Sequence, residues 1–277
     1  SSDVCSSDLT LLSDAEALSF SRRSHLYGDG VFETMRVHQG RICFWEAHYF
    51  RLMASMRILR MDIPVSWGPD ELEANILSCA QSSGDLRVRL SVWREGGLGY
   101  APSTGAIDWA LQVEPIPGAG YPHPVPALKV DLFQEHKKAG GLLSTLKMSQ
   151  SALYILAAKF AEEQGLDDAI LLTQDNRLLE TSRGNLFVLK GNTLSTASLA
   201  EGALRGVIRE QVIRLASGFG WTVEQQALSP FALLEADEVW MTNAVSGISA
   251  VTAYRKSQFG SEQATRMQNA LRASAIR

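Results

Sequence analysis

Apolar residues recur along this chain with two periods, and the period changes where turn residues fall. In Val31-Phe32-Glu33-Thr34-Met35-Arg36-Val37, alternate positions form two faces that each mix polar and apolar groups, which predicts a strand. Gly28-Asp29-Gly30 is a turn before it. Gly40 lies in a turn after it, and Ile42-Cys43-Phe44-Trp45 opens a second strand, so the pair reads as a hairpin. Over 46–59 the spacing lengthens: Phe50, Met53, Met56 and Leu59 recur every third residue and predict a helix with one apolar face. A loop marked by Pro64 and Gly68-Pro69 leads to a second helix over 71–81, with Leu72, Ile76 and Leu77 inward and Ser82-Ser83-Gly84 as its stop. Strands over 87–93 and 107–113 flank the glycine-rich turn Glu95-Gly96-Gly97-Leu98-Gly99-Tyr100. The pattern predicts an α+β domain with an antiparallel sheet and two helices.

Proline and glycine then crowd together from Pro115 through Pro126, the strongest domain boundary in the chain. The reading is a small α+β domain over 10–114, a linker over 115–126 and a larger domain over 127–277. The second domain opens with a strand over 127–133 and a polar loop over 134–140. A further strand, Leu142-Leu143-Ser144-Thr145-Leu146, runs into Lys147. A helix follows, capped by Ser149 or Ser151, with Leu153, Leu156 and Phe160 inward and Gly165 at its end. Strands are predicted over 169–173, 185–190, 193–196 and 239–243, with Gly191-Asn192 as a two-residue hairpin turn. A helix over 207–216 turns Ile208, Val212 and Leu215 inward.

Composition narrows the class. The chain has 277 residues, is 45% hydrophobic and 20% charged, and carries a formal charge of −4. These are the proportions of a globular protein with a sizeable core and no general attraction to nucleic acid or an anionic membrane. No apolar run approaches the ~20 residues of a membrane helix. Cys5, Cys43 and Cys79 are too few and scattered for a disulfide framework or a zinc site, which points to a reducing cytoplasm. No metal site is expected. Residues 10–24 carry little signal. In 1–9, Ser1-Ser2-Asp3 recurs as Ser6-Ser7-Asp8 without a hydrophobic period. This stretch resembles translated adapter DNA and is expected to be non-native, to lie outside the fold, and to stand where a native first strand is missing.

Candidate chemistry lies between Lys147 and Arg209. A lysine amine attacks a carbonyl only when neutral, and Lys147 sits between an apolar run and a helix. Glu180 follows Leu178-Leu179. Gly206 opens a helix whose first residues are Val207 and Ile208, and such a terminus offers N–H groups to a phosphate. A lysine, a carboxylate and a glycine turn before a helix are what pyridoxal phosphate (PLP) asks of a protein. Arg51, beside an apolar helical stripe, can grip a phosphate bidentately. Thr242-Asn243-Ala244 can add donors, and Arg87, Arg89 and Arg94 are candidates for a substrate carboxylate. His48 is expected to pack or cap within its helix. Taken singly, each is also what a solvated side chain looks like.

Their order carries more. Tyr27-Gly-Asp-Gly-Val-Phe-Glu33, His48-Tyr-Phe-Arg51-Leu52, the lone Lys147 and Gly165-Leu-Asp-Asp-Ala-Ile-Leu-Leu172 succeed one another at a characteristic spacing. Glu180-Thr-Ser-Arg-Gly-Asn185-Leu-Phe187, Leu204-Arg-Gly206-Val-Ile-Arg209 and Thr242-Asn-Ala-Val-Ser-Gly-Ile248 complete the series. The chain resembles the class IV aminotransferases, the fold-type IV PLP enzymes, over nearly all of its length after about residue 25. This resemblance implies a two-domain α+β fold, a small α/β sandwich domain plus a larger pseudo-barrel domain. It implies a homodimer with the site between the two domains. Lys147 would bond to the cofactor and shuttle a proton at the substrate α-carbon. Glu180 would pair with the pyridine nitrogen. Arg51, Gly206, Val207, Ile208 and Thr242-Asn243-Ala244 would hold the phosphate, while Tyr27, Phe32 and Arg94 would face the substrate.

The chain departs from the family pattern in places. Thr196 is followed by Ala197 where proline is usual, and Val207-Ile208 stands where Ile-Thr is frequent. Ser249-Ala250-Val251 replaces Thr-Pro-Val, and Gln150-Ser151-Ala152-Leu153-Tyr154 lacks the Asn-Tyr frequent in branched-chain enzymes. Arg94-Glu95-Gly96-Gly97-Leu98-Gly99-Tyr100 partly matches a loop of deoxychorismate lyases, with Leu98 in place of an arginine. Three readings follow. One is an aminotransferase acting on an amino acid and a 2-oxo acid. The second is a 4-amino-4-deoxychorismate lyase of the folate pathway, giving 4-aminobenzoate and pyruvate. The third is a non-catalytic relative serving as a binding module, against which Lys147, Glu180 and Arg51 together argue.

Overall fold

The structure, a computed structural model, describes residues 22–80 and 84–275 together with the backbone of 3–6 and 11–12. The chain divides into two compact units. The first runs to Gly120 and takes in Lys147–Gln150 and Ala275. The second is Tyr121–Leu146 with Ser151–Ser274. Lys147 therefore belongs to the first unit, not to the larger domain in which it was expected.

The first unit contains β1 (Asp3–Ser6), β2 (Leu11–Leu12), α1 (Arg23–Tyr27), β3 (Gly30–His38), β4 (Arg41–Ile42), α2 (Trp45–Ile58), α3 (Pro69–Cys79), β5 (Leu86–Arg94) and β6 (Ile107–Pro115). Its six strands form an antiparallel sheet in the order β2-β1-β6-β5-β3-β4. On β3, Val31, Glu33, Met35 and Val37 share the buried parity. The three apolar members join Leu52, Met53 and Met56 of α2 and Leu72 and Ile76 of α3 in one core. Each such side chain contributes about 1.5–3 kcal/mol on burial. Glu33 sits in that apolar row, so the helix opposite must answer its charge.

Three expectations change here. The strand begun at Ile42 stops there, because Phe44 adopts a left-handed backbone, φ 55°, and starts α2. Phe50 faces solvent, whereas His48, Arg51, Leu52 and Ser55 are buried. The helix expected to reach Gln81 ends at Cys79, and Gln81-Ser82-Ser83 lie outside the described residues. A fourth concerns the N-terminus. Asp3–Ser6 pairs with β6, Val4 opposite Gln112, instead of lying outside the fold. A sheet edge offers N–H and C=O groups to any extended backbone, whatever its side chains. The rest of 1–9 lies outside the described residues.

The second unit contains β7 (Ala127–Lys138), α4 (Ala152–Glu163), β8 (Asp168–Thr173), β9 (Leu178–Thr181), β10 (Asn185–Lys190), β11 (Thr193–Thr196), α5 (Val207–Ala216), β12 (Thr222–Gln225), α6 (Ala232–Glu235), β13 (Glu238–Asn243), β14 (Gly247–Tyr254), β15 (Ser257–Gln258) and α7 (Glu262–Ser274). The strands β10-β13-β14-β7-β8-β9 form a path whose two ends also pair, Asn185 with Glu180, closing a six-stranded barrel. Glu180 thus lies at the closing seam. The barrel is filled by Leu, Val, Ile and Met from every strand, and Ala157 and Ala161 of α4 pack on Phe133, Ala169 and Leu171. Leu156 is exposed and is not part of that inner stripe.

The run before Lys147 is not a strand. Leu142–Thr145 forms one 3-10 turn, in which Ser144 Oγ donates to Gly141 O and Thr145 Oγ1 donates to Leu142 O. Hydroxyl side chains that bond back to their own backbone favour turns over strands. The supposed polar loop over 134–140 is mostly strand, since β7 continues to Lys138.

Candidate active site

In the first unit the segment bearing Lys147 is tied to β3. Phe32 N donates to Lys147 O (2.9 Å), Ser149 N donates to Gly30 O (2.9 Å), and Val31 bridges Met148. Gly30 is required for this approach: a Cβ there would lie 2.8 Å from Val92 O and 2.9 Å from Ser149 Oγ. Lys147 Nζ then sits 4.4 Å from the centre of the Phe32 ring, and the Arg89 guanidinium lies 3.7 Å from the same ring. Two cations on one aromatic ring make a half-buried, electropositive patch. Burial, and then the neighbouring charge of Arg87, push Arg89 below its ordinary value. Tyr27 accepts a hydrogen bond from Gly99 N (2.7 Å) and tilts against Tyr100.

Beside this patch lies a buried charge cluster. Arg51 Nε donates to Glu33 Oε1 (2.7 Å), Arg51 Nη2 makes a short bond to Glu33 Oε2, and His48 Nδ1 is 2.7 Å from Glu33 Oε2. Helical spacing sets the match, because His48 and Arg51 are three residues apart on the face turned to β3. Burial alone would raise the Glu33 carboxyl. The Arg51 charge and the bonds from His48 and Arg51 outweigh it and bring the group down to about 2. His48 moves down as well. Burial is the main cause, opposed by the bond to Glu33 and aided by the charges of Arg51 and Lys147. The fork of Arg51 expected on a phosphate is closed on Glu33.

Arg94 is corrected as a substrate residue. It is buried, and it donates through Nε to Asp29 (3.1 Å), through Nη1 to Arg60 O (2.9 Å) and through Nη2 to Leu59 O (2.5 Å). Its guanidinium braces the chain around Asp29. Arg87 pairs with Glu114, which leaves Arg89, among the described arginines of β5, without a carboxylate in ion-pair range.

In the second unit, Glu180 is 2% exposed and accepts from four groups. Lys138 Nζ (2.5 Å) and the Tyr154 hydroxyl (2.7 Å) donate to Oε1. Leu204 N (2.8 Å) and Asn185 Nδ2 (3.4 Å) donate to Oε2. Burial, followed by the charge of Glu180, pushes the Tyr154 phenol upward, so it stays a donor.

Asn185 links this carboxylate to the next feature. Its Nδ2 also donates to Leu204 O (2.8 Å), and its Oδ1 would lie 1.9 Å from a Cβ at Gly206. Only glycine fits there. Gly206 is the N-cap of α5 and supplies no side chain to the N–H groups of Val207 and Ile208. On the neighbouring strand β13, paired directly with Asn185, stands Thr242, whose buried Oγ1 has no hydrogen-bond partner among the described residues. An open helix start with an unpartnered hydroxyl nearby is chemistry suited to a phosphate. Asn243 differs from expectation: its Oδ1 accepts from Val245 N (3.0 Å) and Ser246 N (2.8 Å), shaping the turn that contains Ala244.

The sequence pattern gave no role to four side chains that surround these groups: Lys138, Glu33, Tyr154 and Asn185. Glu33 carried a signal, on the parity of Val31, Met35 and Val37 and at the end of a family-like motif, as did Asn185 within the Glu180-Thr-Ser-Arg-Gly-Asn185 run. Lys138 carried none, because an irregularity in β7 between Phe133 and Lys138 breaks the alternation before it, and the partner of Tyr154 is distant in sequence.

Comparison with known proteins gives a consistent result. Residues 30–254 match the family model described as amino-transferase class IV. An aminodeoxychorismate lyase from Vibrio harveyi is 27% identical, over 83% of this chain and 84% of its own. A D-alanine aminotransferase from Bacillus licheniformis is 26% identical, over 88% and 86%. Among solved structures, a branched-chain aminotransferase from Thermoproteus uzoniensis shares the fold with a TM-score of 0.86 at 22% identity, over 98% of this chain and 93% of that one.

Proposed function

Because this chain belongs to the class IV aminotransferase family, we propose that it binds PLP and moves an amino group between an amino acid and a 2-oxo acid. The observation that carries the reading is the joint fit of the second unit to such a cofactor. A four-donor carboxylate, Glu180, stands one residue pair from the open start of α5 and the unpartnered Thr242 hydroxyl. When bound, PLP supplies an aldehyde for amines and a ring that withdraws electrons from the substrate α-carbon.

The protein groups divide the remaining work. Glu180 accepts a hydrogen bond from the ring nitrogen. The Val207 and Ile208 N–H groups and Thr242 Oγ1 hold the phosphate, and Gly206 leaves the room. Arg51, fixed by Glu33, is retained as a phosphate residue on the resemblance alone. Lys147 Nζ takes the proton from the α-carbon and returns it, acting in its neutral form. Arg89, which shares the Phe32 ring with Lys147, takes the place first given to Arg94 and holds a substrate carboxylate. The amino group passes in two half-reactions, which predicts ping-pong kinetics. A homodimer in a reducing, cytoplasmic compartment completes the reading. Exposed Leu142, Leu143, Ile155 and Leu156 support it as apolar surface in need of cover. Among the described residues no helix is long and apolar enough to cross a membrane.

The test is a visible spectrum of the PLP-loaded protein with a panel of L- and D-amino acids. Conversion of the bound-cofactor band to the pyridoxamine form by one of them supports transamination and identifies the donor. A lyase relative that spans most of both chains supports a second reading on the same residues. Pyruvate released from aminodeoxychorismate without an amino acceptor, with no amino acid changing the band, selects that reading. A protein that takes up no PLP refutes both.

A further inference from the structure

Lys138 takes no cofactor role of its own, yet its ammonium makes the shortest contact to Glu180. It is the last residue of β7, buried, with Nζ 2.5 Å from Glu180 Oε1 and 2.9 Å from Ser144 O. The Tyr154 ring stands 5.3 Å from the same nitrogen. Burying two opposite charges is a poor way to gain stability, because the desolvation of both offsets most of their attraction. By the same rule a glutamine at Glu180 with an apolar residue at Lys138 would cost the barrel little. A buried ion pair at this point therefore calls for another reason.

The arrangement of donors supplies one. Oε1 carries the Lys138 ammonium and the Tyr154 hydroxyl and is full. Oε2 carries one good bond, from Leu204 N, and a long one from Asn185 at 3.4 Å. A carboxylate accepts about four hydrogen bonds, and the weakest of the four, from Asn185, is the one a better donor displaces, so the place for a further donor is on Oε2. We propose that Lys138 is a positioning residue for Glu180: its ammonium is the counter-charge that keeps this buried carboxylate charged and turned, with Oε2 left to the ring nitrogen of PLP. The inference rests on the cofactor reading above. It adds that the proton on the ring nitrogen depends on a lysine that acts through Glu180.

Four variants and two readouts test it. In the PLP-free protein, thermal midpoints are measured for K138M, E180Q and the double variant. K138M strands a buried charge and lowers the midpoint, and adding E180Q restores part of the loss. In the loaded protein, the 15N signal of PLP labelled at its ring nitrogen is compared among wild type, K138M and K138R. K138R keeps the wild-type signal, whereas K138M moves it toward that of an unprotonated pyridine. If K138M does not fold, K138Q, which keeps a donor without the charge, replaces it in both readouts. A double variant no more stable than K138M overturns the proposal, and so does an unchanged 15N signal in the neutral variants. A wild-type protein that binds no PLP refutes the cofactor reading itself, a result separate from either.

Discussion

Replacing Glu33 by glutamine removes one charge from the buried cluster with Arg51 and His48 while keeping its shape. In the wild type the Glu33 carboxyl falls from an ordinary 4.5 to about 2, which at 1.36 kcal/mol per pH unit is worth about 3 kcal/mol. The direction is fixed by which state binds the proton first. On acidification the unfolded chain protonates this carboxyl before the folded one does. The contribution is therefore complete above the ordinary value and is lost as pH falls toward 2. His48 acts in the same direction, because its folded form also resists the proton that the unfolded chain accepts below about 6.5. In E33Q the Arg51 guanidinium is left without its counter-charge, which costs about 3–5 kcal/mol near neutral pH. That variant no longer has the Glu33 proton linkage. The gap between wild type and E33Q is thus largest near neutrality and narrows by about 2 kcal/mol by about pH 3. Urea unfolding followed by circular dichroism across this range measures it. A gap that stays constant with pH, or an E33Q protein as stable as wild type at neutral pH, would refute the reasoning.

Three further outcomes are expected. Gly206→Ala places a Cβ against Asn185 Oδ1 and displaces a side chain bonded to Leu204 and Glu180. It lowers stability by about 1–3 kcal/mol in urea unfolding and weakens PLP uptake as well. Thr242→Val removes a hydroxyl with no partner among the described residues. The PLP-free protein keeps its unfolding midpoint, while the Kd for PLP, read by fluorescence titration, rises roughly tenfold. Arg94→Met breaks three internal bonds. It destabilises the fold by about 2–4 kcal/mol and leaves KM for the amino donor unchanged, whereas Arg89→Met raises that KM.

The sequence by itself determined the local elements and the order of the motifs. The β3 and β5 strands, the α2 and α5 helices and the Gly191-Asn192 hairpin follow from period and turn chemistry, which depend on neighbours along the chain. Lys147, Glu180, Gly206 and Thr242 were visible as a series at family-like spacing. The contacts that set their chemistry were not. A stretch of polar residues up to Lys138 reads as a loop until β8 pairs with β7 and Glu180 stands opposite. Leu142–Thr145 reads as a strand until its hydroxyls turn back on their own backbone. Arg94 and Arg89 are both candidates for a substrate carboxylate until one is seen bonded to Asp29 and the main chain of Leu59 and Arg60, and the other lies on the Phe32 ring. Only the tertiary structure decides such cases, because the free energy of a charged side chain depends on what surrounds it after folding, and those groups are tens of residues away in sequence.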